Sequence, residues 1–262
     1  MNDQDIESKT VPFIEHLTEL RQRLFRIFIA FSILFFVSFY FSKKIFNILV
    51  IPYEKAAGYD RNLKLIFTAP QEFFLVQLRI AFFTALFFSF PFIATQIYKF
   101  MAPGLYKNER RAFIPFLFAT PILFILGSFL VFFVVMPLAM SFFLSMQQKG
   151  QISLATIELL PRVSEYLGLI MVLTFAFGLV FQMPVVISLL ARAGIVSSEA
   201  LAINRKYAIV MSFIAAAILT PPDPISQICL AVPILILYEL SIYATRFIER
   251  KKVERESINT DP

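Results

Sequence analysis

Three glutamates beside apolar segments are the residues of this 262-residue sequence best suited to chemistry. Glu15 and Glu19 stand in "IEHLTELRQRLF", which runs directly into "RIFIAFSILFFVSFYF"; Glu109 stands in "APGLYKNERR", among Lys107, Arg110 and Arg111. Carboxylates so placed suit recognition of cations. A guanidinium is the preferred guest, because two of its N–H groups can meet two carboxylate oxygens at once. A cationic peptide docking on this side of the protein would have Glu15, Glu19, Glu109 and Glu199 to receive it. A plainer reading fits the same residues. Ile14, Leu17, Leu20 and Leu24 form one apolar stripe at helical spacing, with Glu15, Glu19, Gln22 and Arg26 on the opposite face. Such a helix lies in the headgroup zone before the polypeptide dives into lipid. Glu19 and Arg23 can pair at i, i+4 in the favoured order, and Glu109 can serve as a neutralised loop acid that helps cap the helix after it. The pattern leaves both readings open.

Other chemistry is poorly supplied. The single histidine, His16, and the single cysteine, Cys229, leave no metal constellation and no internal disulfide. A Ser-His-Asp arrangement on the far side of the membrane from His16 is excluded. Only seven glycines are present and none forms a phosphate loop. No catalytic residue, metal or cofactor is therefore assigned. A net charge of +6 does not require nucleic acid, since cytoplasmic loops of membrane proteins collect Lys and Arg.

The elements that must position these carboxylates are membrane spans. The sequence is 58% hydrophobic and 16% charged, with 33 phenylalanines, where a soluble domain keeps about a quarter of its residues charged. Apolar runs near the ~20 residues that cross a ~30 Å hydrocarbon layer recur along it. The expected fold is an all-α integral membrane protein, a bundle of six transmembrane helices. The spans are Leu24 to Phe41, a second within Glu72 to Phe100, Phe113 to about Met140, about Val163 to Leu190, Tyr207 to Leu219, and Ile225 to Tyr243. Lys and Arg concentrate in the N-terminal segment, in the loops after the second and fourth spans, and in the tail (Arg246, Arg250, Lys251, Lys252, Arg255). The positive-inside rule then puts both termini in the cytoplasm. Residues 1–262 read as one membrane domain: a cytoplasmic amphipathic helix over 1–23, the six-span bundle over 24–245, and a charged tail over 246–262 that frays into disorder. The start is acidic and lacks a small-residue cleavage pattern, so no cleaved signal peptide is expected.

The spans are unequal. The second would be about 43 Å long as a continuous helix, which demands tilt or a bend, and Pro91 offers a kink. The fifth and sixth are short; the fifth reaches only about 20 Å as a helix. Between them lies "TPPDP", where Asp223 before Pro224 fits first of all a helix cap. Gln182 sits mid-span in "FAFGLVFQMPVV", and its amide must find a partner, either as helix–helix glue or as part of a polar path. Arg79, Gln227 and Glu239 are further polar residues within spans. The segments 41–71 and 142–162 read as polar connections punctuated by Pro52, Pro70 and Pro161.

Taken together, "HLTELRQRL" (16–24), "PFIATQIYKFMAPGLYKNERR" (91–111), "FAFGLVFQMPVV" (175–186) and "LTPPDPISQ" (219–227) resemble the TatC family, the multispan receptor subunits of the twin-arginine protein translocase. The likeness extends over nearly all six spans. The resemblance implies a receptor and scaffold of the inner membrane, not an enzyme. Such proteins bind Arg-Arg signal peptides of folded cargo, self-associate, and assemble with single-span TatA- and TatB-like partners for export driven by the proton-motive force. By matching motifs, Glu19 and Glu109 would receive the two arginines, with Glu15 and Phe100 in the same binding surface. Pro52, Pro91, Asp223 and Gln227 match positions used for structure or partner contact. Family members often carry Glu in the middle of the fourth span; Gln182 stands there in this sequence and cannot ionise. The alternative is a small-solute transporter or channel, which would want convergent mid-membrane polar groups and paired broken helices or repeats. One central glutamine and no evident repeat speak against it.

Overall fold

The fold is known from a computed structural model, which describes the backbone of residues 3–58, 64–101, 114–147, 159–219 and 224–260. Ten α-helices occur there: α1 (Asp3–Tyr40), α2 (Ser42–Ala56), α3 (Glu72–Met101), α4 (Ile114–Leu130), α5 (Met136–Ser145), α6 (Val163–Val180), α7 (Met183–Arg192), α8 (Ser198–Ile203), α9 (Arg205–Leu219) and α10 (Pro224–Thr260). The described β-structure is one isolated parallel bridge, Ile66 to Arg162. Among the described residues, five helical stretches are long and apolar enough to cross a membrane: Leu17–Tyr40, Glu72–Phe100, Pro115–Ser145, Val163–Arg192 and Ser226–Lys251. The expected span missing from these five is the fifth, which is α9. At 15 residues it reaches only about 22 Å, against a hydrocarbon layer of ~30 Å.

Four expectations need correction. The N-terminal helix and the first span are not separate elements but one continuous helix, α1, of 38 residues. The sixth span is not short: its candidate span covers 26 residues. Its helix continues through the charged tail to Thr260 instead of fraying. Between Pro233 and the end of α10 no Gly or Pro interrupts the sequence, and Lys, Arg and Glu are good helix formers. The segment after the first span is not a plain connection either; it holds α2, with Pro52 buried inside it.

Two compact units make up the protein. One comprises Met1–Phe46 with Gln77–Pro121, the other Asn47–Val76 with Ile122–Pro262. In the first, α1 and α3 run antiparallel: Phe31 meets Phe82 edge-on at 5.3 Å, and nearer the start of α1 Arg23 reaches Gln96 near the end of α3. α4 joins them through Tyr98 and Thr120, whose hydroxyls lie 3.0 Å apart.

The second unit is built on a close helix crossing. Gly127 of α4 and Gly178 of α6 leave room for each other's helices. A β-carbon at Gly127 would sit 2.6 Å from the Phe177 carbonyl oxygen, and one at Gly178 would sit 2.5 Å from the Phe124 ring. Small residues let backbones approach in lipid, where the hydrophobic effect offers helices no reason to associate. The approach allows Ser128 to donate to the carbonyls of Phe124, at 2.9 Å, and Thr174, at 3.3 Å. Beyond this crossing the α4 helix widens into a π-turn, Val131–Val135. The wide turn ends two residues before Pro137, which has no N–H to continue the regular ladder. Antiparallel to α9, α10 is tied to it by Arg205–Glu239 at 2.7 Å and by Gln227 Nε2 on the Phe213 carbonyl at 3.3 Å. Its far end caps α8: the Glu249 carboxylate accepts from the Ser198 N–H at 2.8 Å. α2 is held to α6 by the Tyr166 hydroxyl, which donates to the Leu49 carbonyl at 2.8 Å, and by the Tyr53 ring, 5.5 Å from that of Tyr166.

Candidate functional site: a carboxylate held beside the end of a helix

Glu19 lies two turns before the apolar core of α1, on a face that meets the last turns of α3. Its carboxylate is gripped by Arg23, one turn later: Nε donates to Oε1 at 3.0 Å and Nη2 donates to the same oxygen. The pair expected from i, i+4 spacing therefore forms. The other edge of the guanidinium crosses to α3. Nη1 donates to Gln96 Oε1 at 3.2 Å, and Nη2 donates to the Lys99 carbonyl at 3.3 Å. Lys99 lies in the final turn of α3, where backbone carbonyls lack helical partners, so Arg23 caps the C-terminal end of α3 from a different helix. The Arg23 side chain is 16% exposed and that of Glu19 35%. Gln96 is buried, and the cation has replaced its solvent with four protein contacts.

Glu19 is thus engaged by an internal cation. That grip is incomplete, because both bonds end on Oε1, and among the described residues none is placed on Oε2. Ion pairs exposed to this degree contribute only about 0–1 kcal/mol, so an incoming guanidinium can compete for the carboxylate.

Of the other expected site residues, Phe100 follows Lys99 directly and so lies at the same end of the first unit as Glu19. The backbone of Glu15 belongs to α1, one turn before Glu19; its side chain lies outside the described residues, as do Glu109 and Asp223. Glu199 is exposed in the first turn of α8. Pro91 is inside α3, which continues past it; Thr95 Oγ1 donates to the Pro91 carbonyl at 2.8 Å. Pro52 is buried beside Tyr53, whose phenol burial pushes above its ordinary pKa. Gln227 is half-buried between α10 and α9. Among the described residues no group of His, Cys, Asp and Glu is gathered to hold a metal.

Gln182 has a specific local role. It stands at the turn between α6 and α7, just before Met183 and Pro184. The turn tightens there: the Gln182 N–H bonds to the Leu179 carbonyl, three residues back, at 2.9 Å. The carbonyl of Gly178, the regular α-helical partner of that N–H, is taken instead by the side chain's own Nε2 at 3.4 Å. The glutamine side chain thereby replaces a helical bond that its backbone gives up. Only a group that can donate does this, and an ionised carboxylate cannot.

Sequence reasoning missed Gln96 and the second half of Arg23's bonding. The available signal was a polar amide in the apolar run "FIATQIYKF", which in a span demands a partner.

Comparison with known proteins decides the family. The family model of Sec-independent protein translocase protein TatC matches residues 15–233. The chain belongs to the TatC family. A TatC protein of Magnetococcus marinus is 46% identical over 253 residues, covering 97% of this chain and 90% of that protein. The TatC protein of Escherichia coli strain K12 is 36% identical over 247 residues, covering 94% and 93%. A solved crystal structure described as the twin arginine translocase receptor TatC superimposes with a TM-score of 0.75 at 38% identity, covering 89% of this chain and 99% of that one. A second crystal structure, described as the twin arginine translocase receptor TatC in DDM, gives a TM-score of 0.74 at 39% identity, covering 87% of this chain and 98% of that one. With its apolar helices, family membership makes this a multi-pass membrane protein of protein transport. The matched region includes Glu19, Gln96, Gln182 and Gln227.

Proposed function

We propose that this protein is the membrane receptor and scaffold of a twin-arginine translocase, binding Arg-Arg signal peptides of folded cargo. The observation that carries the reading is the Glu19 carboxylate: one-third exposed, anchored through a single oxygen, and standing beside the end of α3 where Phe100 lies. Glu109 follows Phe100 by nine positions in the sequence, so its segment leaves α3 from the end at which Glu19 is held. Glu19 and Glu109 receive one arginine each, while Glu15 adds to the negative potential on the same face of α1 and Phe100 offers an aromatic surface to the peptide.

In this reading both termini and the Glu19 end of α1 face the cytoplasm, and the protein lies in the inner membrane as a single domain with six spans, α9 being the fifth. The single-span TatA- and TatB-like partners, and further copies of the protein, meet the exposed helix faces. α9 is suited to such contact because it is too short for lipid of ordinary thickness and exposes Val210, Met211, Ile214 and Ile218. Gln182, Pro52, Pro91, Asp223 and Gln227 serve structure and partner contact. Export is driven by the proton-motive force.

Detergent-solubilised protein is to be captured on an immobilised signal peptide bearing Arg-Arg and on its Lys-Lys version. Capture by Arg-Arg alone, abolished by Glu19→Ala with Glu109→Ala, is the expected result. Equal capture by both peptides, unaltered in the double variant, removes the basis of the reading.

A further inference from the structure

We propose that Arg23 is the positioning residue of the Glu19 carboxylate: held off-centre by Gln96 and the Lys99 carbonyl, it grips one oxygen and leaves the other for an arginine of the signal peptide. The inference rests on the reading of Glu19 as a signal-peptide carboxylate.

The geometry of the grip carries it. A guanidinium free to choose meets a carboxylate as a fork, two parallel N–H groups on two oxygens. Arg23 does not. Both of its donors to Glu19, Nε and Nη2, land on Oε1. The rest of the group is spoken for by α3: Nη1 by Gln96 Oε1 at 3.2 Å, and Nη2 additionally by the Lys99 carbonyl at 3.3 Å. Those two acceptors belong to a different helix and hold the guanidinium plane where a fork does not form. Gln96 is itself buried, and the Arg23 side chain is far less exposed than its acidic partner. The cation is fixed and the carboxylate is its more accessible side.

Two consequences follow for recognition. A carboxylate whose rotamer is already set loses less side-chain entropy when a guest binds. And a positive charge beside it lowers the attraction for cations in general, leaving directed N–H bonds to decide which cation is kept. Arg23 thus trades affinity for discrimination between Arg-Arg and Lys-Lys.

The test measures dissociation constants of the full-length protein in nanodiscs for Arg-Arg and Lys-Lys signal peptides, and takes their ratio. Arg23→Gln removes cation and grip together; Arg23→Lys keeps the charge but not the three-way donation; Gln96→Leu keeps Arg23 but frees it to fork over both oxygens. In each the ratio is expected to fall about tenfold. Lys-Lys binding tightens or holds in Arg23→Gln, and Arg-Arg binding weakens in Gln96→Leu. The double variant Arg23→Gln with Gln96→Leu should be no worse than Arg23→Gln alone, because Gln96 acts only through Arg23. A purely structural role moves melting temperature without this epistasis. If Glu19→Ala collapses the ratio while Arg23→Lys and Gln96→Leu keep it within twofold, the positioning role is overturned and the receptor reading stands. If Glu19→Ala itself leaves the ratio unchanged, the receptor reading fails and this inference with it.

Discussion

The charged corner of the first unit and the glycine crossing of the second are held together by opposite means. At the corner, one guanidinium ties α1 to α3 through directed bonds, with the acid partly open to solvent. At the crossing, α4 and α6 touch with no room for one added carbon at either Gly127 or Gly178. Polar bonds made by part-exposed side chains can be exchanged for bonds to a guest without moving a helix. Interlocked backbones cannot yield without moving a helix. A site that must accept and release a peptide is better built the first way, and the frame that holds spans in place the second.

The largest expected effect lies at the crossing. Gly127→Ala puts a β-carbon against backbone, and Gly178→Ala puts one against the buried Phe124 ring. Each should lower stability by about 1–3 kcal/mol, the usual cost of overfilling a packed interior. Thermal unfolding in detergent, followed by loss of the monodisperse chromatographic peak, checks this. Unchanged melting would mean that the crossing has slack and the contrast is false.

Next in size is the turn between α6 and α7. Gln182→Leu removes the donor to the Gly178 carbonyl. The loss should be about 0.5–1.5 kcal/mol in the same assay, that of one hydrogen bond, with discrimination between Arg-Arg and Lys-Lys peptides unaffected. A change in discrimination would tie the second unit to recognition.

Smallest is the effect of the corner on stability. Glu19→Gln should change the unfolding free energy by less than about 1 kcal/mol, as for other part-exposed ion pairs. A drop as large as at the glycines would make Glu19 a structural residue and not a receiving one.

The sequence shows the two regions unequally. The apolar helices can be read directly, because long runs of Phe, Leu, Ile and Val admit little else, and the 13-residue fifth span shows its shortness in the count of residues. The pair Glu19–Arg23 is likewise visible, since helical spacing alone brings the two together. What cannot be read is whatever depends on two helices meeting. Arg23 and Gln96 are 73 positions apart, and neither spacing nor composition places α3 against α1. The glycine crossing is hidden for the same reason: Gly127 and Gly178 look like ordinary glycines in apolar runs until the helices are brought together. α2 and the end of α10 escape detection differently. Their residues are polar enough to suggest connections and a loose tail, and their helicity rests on local propensity and, for α2, on packing against Tyr166. Gln182 is conspicuous in sequence as a buried amide. Its partner, the Gly178 carbonyl of its own helix, follows only from the tightened turn.

The central claim, that the Glu19 carboxylate receives a signal-peptide arginine, is tested most directly by a double-mutant cycle across the complex. Dissociation constants would be measured for the protein and its Glu19→Gln variant, each with the Arg-Arg peptide and with single Arg→Lys versions. Glu19→Gln is expected to weaken Arg-Arg binding about tenfold or more, and one Arg→Lys change should lose most of its effect in the variant, a coupling of about 1.4 kcal/mol. Strictly additive effects of the two changes would contradict the claim.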